Sequence, residues 1–350
     1  MLITKKGKIE MLTERQRIIL NAIIADYIRF GKAVGSKALL VDVDLPVSSA
    51  TIRNDMALLE DQGLIQKEHA SSGRIPSQQG YRFYVDYLMR THRPSKEERQ
   101  QIYRTFSRRF QQVDDLLIQV TKFMANITGY TAIALKPATI DVKLSGFQLI
   151  PIDGQQIMAV LVTSNGQTAS QSFRLPKGTS IEELKVIVTY INHQLVGRPI
   201  REALQSLSGD FPLDLERTIR SPQAFLQLFG DMLSQAIQDK VFIGGSLNIM
   251  DFTTDSDLGD IKALYQLLDD PEEMHKIIGS ANEGVFVQIG EENSDEILKP
   301  YSLVSTRYQI PMHGFGELAI LGPTNMPYPK IVTILNEVRQ AVVEELQEYY

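Results

Sequence analysis

The chain of 350 residues contains no cysteine and no tryptophan. The absence of cysteine excludes disulfide bonds, thiol catalysis and zinc sites ligated by cysteine, and it is typical of proteins from a reducing compartment. No uninterrupted apolar stretch approaches the roughly 20 residues that a membrane-spanning helix requires, and no signal-peptide pattern opens the chain. We therefore predict a cytoplasmic protein that has no membrane partner.

Motifs that carry catalysis or bind cofactors are also missing. The five histidines are scattered, and no two of them stand at the spacing of a metal site. Neither the Walker phosphate loop nor the nucleophile elbow Gly-x-Ser-x-Gly occurs. The glycine-rich segments 244–245 and 313–316 are interpreted as a bulge and a hairpin turn, not as anion sites. We predict no enzyme activity, no cofactor and no metal.

Charge is divided unevenly along the chain, although the net value is only −6. Residues 1–95 hold 14 Lys and Arg against 10 Asp and Glu, whereas residues 96–350 hold 22 against 32. A basic first part on an acidic remainder is typical of a protein that contacts nucleic acid through one domain, because salt screens charges beyond about 10 Å. The length itself predicts two or three domains.

The residues from Ser48 to Gly63 form the most informative stretch, which predicts a short amphipathic helix. Ser48 can cap its start and Gly63 can end it in a left-handed turn. Ile52, Met56 and Leu59 recur at helical spacing and form an apolar stripe. The polar residues left near the outward N-terminal side are Ser49, Thr51, Arg53 and Asn54. Hydroxyl, amide and guanidinium groups on a rigid helix can reach bases and phosphates, so we predict a DNA recognition helix.

An ordinary surface helix would show the same pattern, and the neighbouring segments favour the DNA-binding interpretation. Thr13-Glu-Arg-Gln16 is a capping box that begins a helix ending at Gly31. Ser36 begins a short second helix that runs to Val41. These three helices predict a helix-turn-helix unit.

A hairpin is predicted directly after the recognition helix, with strands near 64–67 and 75–77 around a polar turn. Such a hairpin is a wing, and Arg74 with help from Lys67 and Ser72 is predicted to anchor it on DNA; a merely solvated arginine is the alternative. The aromatic helix 81–89 is predicted to pack against the wing and the next domain. The predicted DNA-binding residues are Lys37, Ser49, Thr51, Arg53, Asn54, Lys67, Ser72 and Arg74.

The remainder of the chain alternates blocks of strands and helices. Strands are predicted between 142 and 175, helices between 176 and 238, and strands again beyond 241, with a final helix near 328–348. We predict a multidomain α+β protein in which one domain is interrupted by an insertion. The predicted bounds are 1–95 for the DNA-binding domain, 96–175 with 241–350 for the interrupted domain, and 176–240 for the insertion.

The sequence resembles the bacterial heat-inducible transcription repressor family HrcA, most densely over its first hundred residues. The segments that carry the resemblance are Val34-Gly-Ser-Lys37, Ser48-Ser-Ala-Thr-Ile-Arg-Asn-Asp-Met56, His69-Ala-Ser-Ser-Gly-Arg-Ile-Pro-Ser77 and Gly80-Tyr-Arg-Phe-Tyr-Val-Asp86. Weaker similarity continues through Phe242-Ile-Gly-Gly-Ser-Leu-Asn248 and Gly316-Glu-Leu-Ala-Ile-Leu-Gly-Pro-Thr-Asn-Met-Pro-Tyr328. Ser246, Leu247 and Asn325 depart from the residues usual in the family.

This resemblance implies a winged-helix head, a GAF-like α/β domain and a mainly helical inserted dimerisation domain. It also implies a homodimer that binds an inverted-repeat operator, CIRCE, and silences chaperone operons. A GroEL-type chaperonin would keep the repressor competent for binding.

Two other hypotheses stay open at this point. One is a winged-helix transcription regulator whose GAF-like domain senses a small-molecule effector, which requires a buried pocket with convergent polar groups. The other is an enzyme with a nucleic-acid-binding head, which requires a catalytic cluster that the sequence does not display.

Overall fold

A computed structural model of the protein describes residues 12–42, 47–68, 73–90, 92–106, 110, 113–136, 142–153, 155–164, 166–175, 180–209, 223–237, 240–252, 258–278, 284–310 and 314–347. The chain mixes helices and strands and divides into two compact units. The first unit contains Met1–Pro137 and Lys240–Tyr350, and the second contains Ala138–Asp239.

Three helices open the first unit, namely α1 (Glu14–Phe30), α2 (Ser36–Asp42) and α3 (Ser49–Asp61). α1 begins at the predicted capping box, in which the Thr13 hydroxyl accepts from the Gln16 N–H and the Gln16 side chain accepts from the Thr13 N–H. The helices share an apolar core, whose buried members include Ile19, Leu20, Ile23, Ile24, Leu39, Ile52 and Leu59. The helices predicted for this region are confirmed.

A two-stranded antiparallel hairpin follows α3. Its strands are β1 (Ile65–Lys67) and β2 (Arg74–Pro76), and Lys67 lies opposite Arg74. The backbone of Arg74 also exchanges two hydrogen bonds with Val34, at 2.8 and 2.9 Å. Gly73 is required beside this bridge, because a Cβ there would lie 2.5 Å from the Val34 carbonyl oxygen. The hairpin is thus fastened to the segment between α1 and α2.

Four helical segments connect the hairpin to the rest of the first unit. α4 (Gln78–Phe83) continues directly into a π-helical turn (Tyr84–Leu88), and α5 (Lys96–Phe106) and α6 (Val113–Thr128) follow. The predicted packing of the aromatic segment is confirmed on both sides, because Tyr81 and Phe83 are buried in the core that includes the head and the later helices.

The second unit consists of a three-stranded antiparallel sheet with helices over one face. Its elements are β4 (Leu144–Pro151), β5 (Gln156–Thr163), β6 (Thr168–Arg174), α7 (Ile181–Leu195), α8 (Ile200–Leu207) and α9 (Gln223–Ile237), and the sheet order is β4-β5-β6. Phe147 on β4 packs edge-on against Phe225 and Phe229 of α9, with ring centroids 5.9 and 4.7 Å apart. One apolar core therefore joins the sheet to these helices.

This unit differs from the predicted insertion, which began at residue 176. The structure begins the unit at Ala138 because β4, β5 and β6 form a sheet of their own. Their buried side chains contact α7 and α9 and contribute to the core of the second unit. The prediction grouped these strands with those beyond residue 241 because strand propensity reports the presence of a strand, not the sheet that it joins.

A five-stranded antiparallel sheet forms the centre of the first unit, in the order β7-β3-β10-β9-β8. The strands are β3 (Thr131–Leu135), β7 (Val241–Gly244), β8 (Val285–Ile289), β9 (Tyr301–Ile310) and β10 (Gly314–Pro323). β9 and β10 form its longest pair, which runs from Tyr301 opposite Pro323 to Ile310 opposite Gly314.

Helices cover this sheet on both faces. α6 and α12 (Tyr328–Gln347) share a core with Ala134, whereas α10 (Leu258–Leu268) and α11 (Pro271–Ile278) share another with Ile133. Neighbouring residues of one strand point to opposite faces of the sheet. The residues of β3, almost all apolar, are therefore buried on both faces.

One carboxylate forms ion pairs with two lysines, one where the chain leaves the first unit and one where it returns to it. Asp114 of α6 accepts from Lys136 Nζ at 2.7 Å and from Lys240 Nζ at 2.9 Å. These lysines adjoin neighbouring strands, in which Leu135 lies opposite Val241. The second unit is therefore inserted between two adjacent, fastened strand ends.

Candidate nucleic-acid interface

Helix α3 has one buried side and one exposed side. Ile52, Met56 and Leu59 are buried, as the predicted apolar stripe requires, whereas Arg53 and Asn54 are exposed. The Ser48 hydroxyl accepts from the Thr51 N–H at 3.2 Å and caps the helix start. The other backbone N–H groups of the first turn give this end of the helix a partial positive charge.

An ion pair between a buried carboxylate and a half-exposed arginine fixes α3 against α1. Asp55 is only 3% exposed, and it accepts from Arg15 Nε at 2.6 Å and from Arg15 Nη2 at 3.2 Å. The hydrogen bond and the charge of Asp55 raise the pKa of Arg15 above its ordinary value. Sequence reasoning missed this pair because its members lie 40 residues apart. The acidic residue nearest to Arg53 is thereby turned away from the exposed side of the helix.

Hydroxyl groups at the start of α3 are held by local contacts. Ser49 Oγ lies 3.2 Å from Ser36 Oγ, and Thr51 Oγ1 lies 3.0 Å from Ser48 Oγ. Both Ser49 and Thr51 are half-buried, so their orientations are defined before any ligand arrives. Either hydroxyl of each pair can be the donor. The one that accepts keeps its own hydrogen for a phosphate oxygen, and the one that donates can still accept from a base-edge donor.

The cations Lys37 and Arg53 are exposed, and neither forms an ion pair with another residue in the part of the chain that the structure describes. Together with Ser49, Thr51 and Asn54 they form the recognition surface, as we name these five residues. Such a surface offers the guanidinium, ammonium, amide and hydroxyl groups that contact phosphates and base edges.

Arg74 lies in the strand pair next to the turn of the hairpin, and its side chain is paired with a carboxylate of α3. Arg74 lies at the start of β2, is 20% exposed in its side chain, and donates to Glu60 of α3 from Nε at 2.9 Å and Nη2 at 2.6 Å. Lys67 lies 3.8 Å from the same carboxylate and is half-exposed. Ser72 falls outside the described residues. Arg74 therefore holds the hairpin to α3 through Glu60.

The described ranges contain no cluster of three or more side chains that could hold a metal ion. Within the same ranges, no helix combines the length and the apolar character needed to cross a membrane. The described groove of about 510 Å³ lies between α5 and α12, and it is lined by Arg99, Ile102, Phe106, Glu337, Gln340, Ala341, Glu344 and Glu345. Its carboxylates would repel DNA, so the recognition surface is the stronger candidate interface.

Comparisons with known proteins agree on one family. A family model described as HrcA protein C terminal domain matches residues 114–332. Proteins named heat-inducible transcription repressor HrcA from Limosilactobacillus reuteri (strain DSM 20016) and Ligilactobacillus salivarius (strain UCC118) are each 41% identical to this chain. The alignments cover 97% of this chain, with 98% of the first protein and 99% of the second.

A relative of the same name from Enterococcus faecalis (strain ATCC 700802 / V583) is 37% identical, and its alignment covers 97% of this chain and 99% of that protein. A crystal structure described as that of a hypothetical protein has a TM-score of 0.64 at 24% identity, and it covers 97% of this chain and 99% of its own. That likeness supports the fold over the full length. The chain belongs to the HrcA family of heat-inducible transcription repressors.

Proposed function

We propose that this protein represses the transcription of heat-shock chaperone operons by binding an inverted-repeat CIRCE operator as a homodimer. The observation that carries the proposal is the recognition surface. Its two cations form no ion pair among the residues that the structure describes, and the helix behind them is fixed by Ile52, Leu59 and the pair of Asp55 with Arg15. A rigid helix with free donors loses little conformational entropy when it enters a groove.

The proposed contacts differ in what they contribute. Arg53 and Asn54 read base edges in the major groove, with Thr51 beside them, whereas Lys37 and Ser49 contact backbone phosphates. Helix N-termini favour phosphate, which supports the assignment of Ser49. We keep Lys67 and Ser72 as phosphate contacts of the hairpin and assign Arg74 to positioning that hairpin through Glu60.

The architecture proposed for this activity is a winged-helix head followed by a GAF-like domain, which the second unit interrupts. Three helices followed by a hairpin support the first assignment, and a five-stranded sheet with helices on both faces supports the second. A fold of this type does not imply a small ligand by itself.

We propose that two copies pair through the second unit. On β5 the buried residues alternate with Met158, Val160 and Val162, which therefore lie on the face away from α7 and α9. Ile150 of β4 lies opposite Met158 and extends this apolar face, with 43% of its surface exposed. A Val160→Glu variant should become monomeric by light scattering, and a variant that stays dimeric would contradict this assignment.

A GroEL-type chaperonin is the proposed regulatory partner, on the strength of family membership. Heat would draw the chaperonin away to unfolded clients, so the repressor would lose activity and chaperone synthesis would rise.

The test is a mobility-shift titration at fixed salt on the CIRCE duplex and on a scrambled duplex, with and without the chaperonin. We expect selective binding that the chaperonin strengthens. The matched control for Arg53→Ala is Arg201→Ala, which also removes an exposed arginine, but from α8 of the second unit. Absence of operator preference under both conditions would overturn the proposal. Selective binding that ignores the chaperonin would instead favour the hypothesis of a small-molecule effector, which a thermal-shift screen of metabolites would test.

A further inference from the structure

The head (residues 12–90) is joined to the central sheet by a set of polar contacts that involve none of the residues of the recognition surface. Gln78 of α4 donates through Nε2 to the Ile289 carbonyl oxygen, and Arg82 donates through Nη2 to the Val287 carbonyl oxygen at 2.6 Å. Both carbonyls belong to β8, at the edge of the sheet. α4 is therefore docked on backbone groups that no change of side chain can remove.

Arg82 is the centre of these contacts. Its Nε donates to Glu292 Oε1 at 2.8 Å, its Nη2 pairs with Glu292 Oε2, and its Nη1 lies 3.2 Å from Asp86 Oδ1. Only 24% of the Arg82 side chain and 6% of the Asp86 side chain are exposed. A two-pronged pair of this kind fixes orientation as well as distance. We call Gln78, Arg82, Asp86 and Glu292 the head latch.

Each half of the head latch is rigidly attached to its own side. On the head, Gly80 packs so closely on the hairpin that a Cβ would lie 2.0 Å from the Leu64 carbonyl oxygen. On the sheet, Asn293 Nδ2 lies within 3.0 Å of three carbonyl oxygens, those of Gly290, Leu298 and Tyr301. A rotation of the head relative to the sheet must therefore break the latch itself.

An aromatic contact and an unusual backbone turn lie beside the latch. Tyr81 packs edge-on against Tyr328 of α12, with ring centroids 6.0 Å apart. The π-helical turn Tyr84–Leu88 holds Asp86, and turns of this type are rare and often occur at functional sites. These features are typical of a specific interface between the head and the rest of the first unit, not of an incidental contact.

The docked head keeps its recognition surface uncovered, because Lys37, Arg53 and Asn54 are exposed while the latch is closed. The latch therefore does not block DNA. What it defines is the direction in which α3 points from the sheet.

We infer that the head latch makes Arg82 and Glu292 positioning residues that set which spacing between the two half-sites of an inverted repeat the repressor accepts. This inference rests on the proposed function, since it requires a dimer with two heads. One base pair added between half-sites moves one of them by about 3.4 Å and rotates it by about 35°. Two heads held by closed latches cannot both reach half-sites that have moved in this way. Two loose heads can reach them, but the second head then has a lower effective concentration at its half-site.

The experiment compares full-length wild type with Arg82→Gln, Glu292→Gln and the double variant on duplexes whose spacer is lengthened or shortened by one to three base pairs. Glu292→Gln removes the charge but keeps an acceptor for the Ile289 N–H, which Glu292 now binds at 2.9 Å. Glu291→Gln is the control, because it makes the same change at the neighbouring residue, whose side chain is 70% exposed.

We expect the wild type and Glu291→Gln to bind one spacer best, and the latch variants to bind all spacers similarly. On the preferred spacer the variants should lose about tenfold in affinity, while their affinity for an isolated half-site stays unchanged. The two single variants and the double variant should give the same loss, since each opens the same latch. A sharp spacer preference in Arg82→Gln and Glu292→Gln would overturn the inference and leave the proposed function intact.

A second measurement needs no operator. Because the chain has no cysteine, Lys32→Cys places a single, exposed spin-label site in each head. Distances between the labels of a dimer should form a narrow distribution that broadens in Arg82→Gln, and an unchanged distribution would contradict the latch. A wild type that binds operator and scrambled DNA alike would overturn the proposed function itself, whatever the label distances are.

Discussion

Helices α3 and α4 lie in the same head and each carries one arginine, yet the two arginines have opposite surroundings. Arg53 is exposed and forms no ion pair within the described residues, whereas Arg82 is enclosed by Glu292 and Asp86. A guanidinium that already has two carboxylates gains little from a phosphate, while an unpaired one gains the whole contact. The position of acidic partners thus separates the arginine that we propose to contact DNA from a structural one.

The largest expected effect tests the unpaired side of this comparison. Arg53→Ala should lower the free energy of operator binding by about 1–3 kcal/mol if Arg53 makes a two-pronged base contact, with no change in thermal stability. Titrations on operator and random duplexes at several salt concentrations measure it. An equal loss on both duplexes, with a reduced salt dependence, would make Arg53 a phosphate contact instead.

The second-largest effect is expected from the pair of Asp55 with Arg15, which fixes the helix that carries Arg53. Asp55→Ala removes a buried carboxylate from its hydrogen bonds with Arg15, and we expect it to lower the free energy of unfolding by about 1 kcal/mol, since the half-exposed arginine can return to water. Operator affinity should fall as well, because α3 loses its fixed orientation. Asp61→Ala, which removes an exposed carboxylate from the end of the same helix, is the control. Equal effects of the two changes in urea unfolding would contradict the role of the pair.

The stabilising effect of an ion-paired carboxylate can be tested through pH, at Asp114. Burial raises the pKa of Asp114, but the hydrogen bonds from Lys136 and Lys240 outweigh it and bring the pKa below the ordinary 3.8. Because the pKa of Asp114 is lower in the folded than in the unfolded protein, Asp114 stabilises the fold at pH values above its ordinary pKa. This stabilisation is lost as the pH falls through the lowered pKa. Wild type should therefore exceed Asp114→Asn in stability from pH 7 down to about 4, and less below. A difference that is independent of pH would contradict the assignment.

The smallest effect concerns the hairpin. Glu60→Gln should release Arg74 and Lys67, so it should cost well under 1 kcal/mol of stability, as is usual for partly exposed ion pairs. DNA binding should become less selective, because the hairpin is no longer held to α3. Glu68→Gln, an exposed change next to Lys67, serves as the control in the same mobility-shift titrations. Unchanged selectivity in Glu60→Gln would leave the hairpin without a positioning role.

The sequence predicted the features that depend on neighbouring residues. The start of α1 at Thr13 and its end at Gly31 follow from capping chemistry within one turn, and the buried stripe of α3 follows from helical spacing. The pairing of Arg15 with Asp55 and of Arg82 with Glu292 could not be predicted in this way, because the partners lie 40 and 210 residues away. The ion pair of Arg74 with Glu60 was missed for a related reason, since its members lie 14 residues apart.

The sheets show the same limit. The strands between residues 144 and 174 were recognised, but their assignment to a separate unit depends on non-local pairing. At residues 244–245 a bulge was predicted where β7 ends and a 3₁₀ helix begins. A Cβ at Gly244 would lie 2.2 Å from the Thr121 carbonyl oxygen, so the glycine there serves close packing of α6.

The adjacent strand ends beside Asp114 make the second unit a removable module. Lys136 follows β3, Lys240 precedes β7, and these two strands pair as antiparallel neighbours, so the segment between them has the topology of one long hairpin loop. A short glycine-containing turn in place of residues 138–239 should close that hairpin and leave the central sheet intact. If two copies pair through the second unit, as we propose, the shortened chain is a monomer with one head, from which the affinity of one head for one half-site can be measured directly.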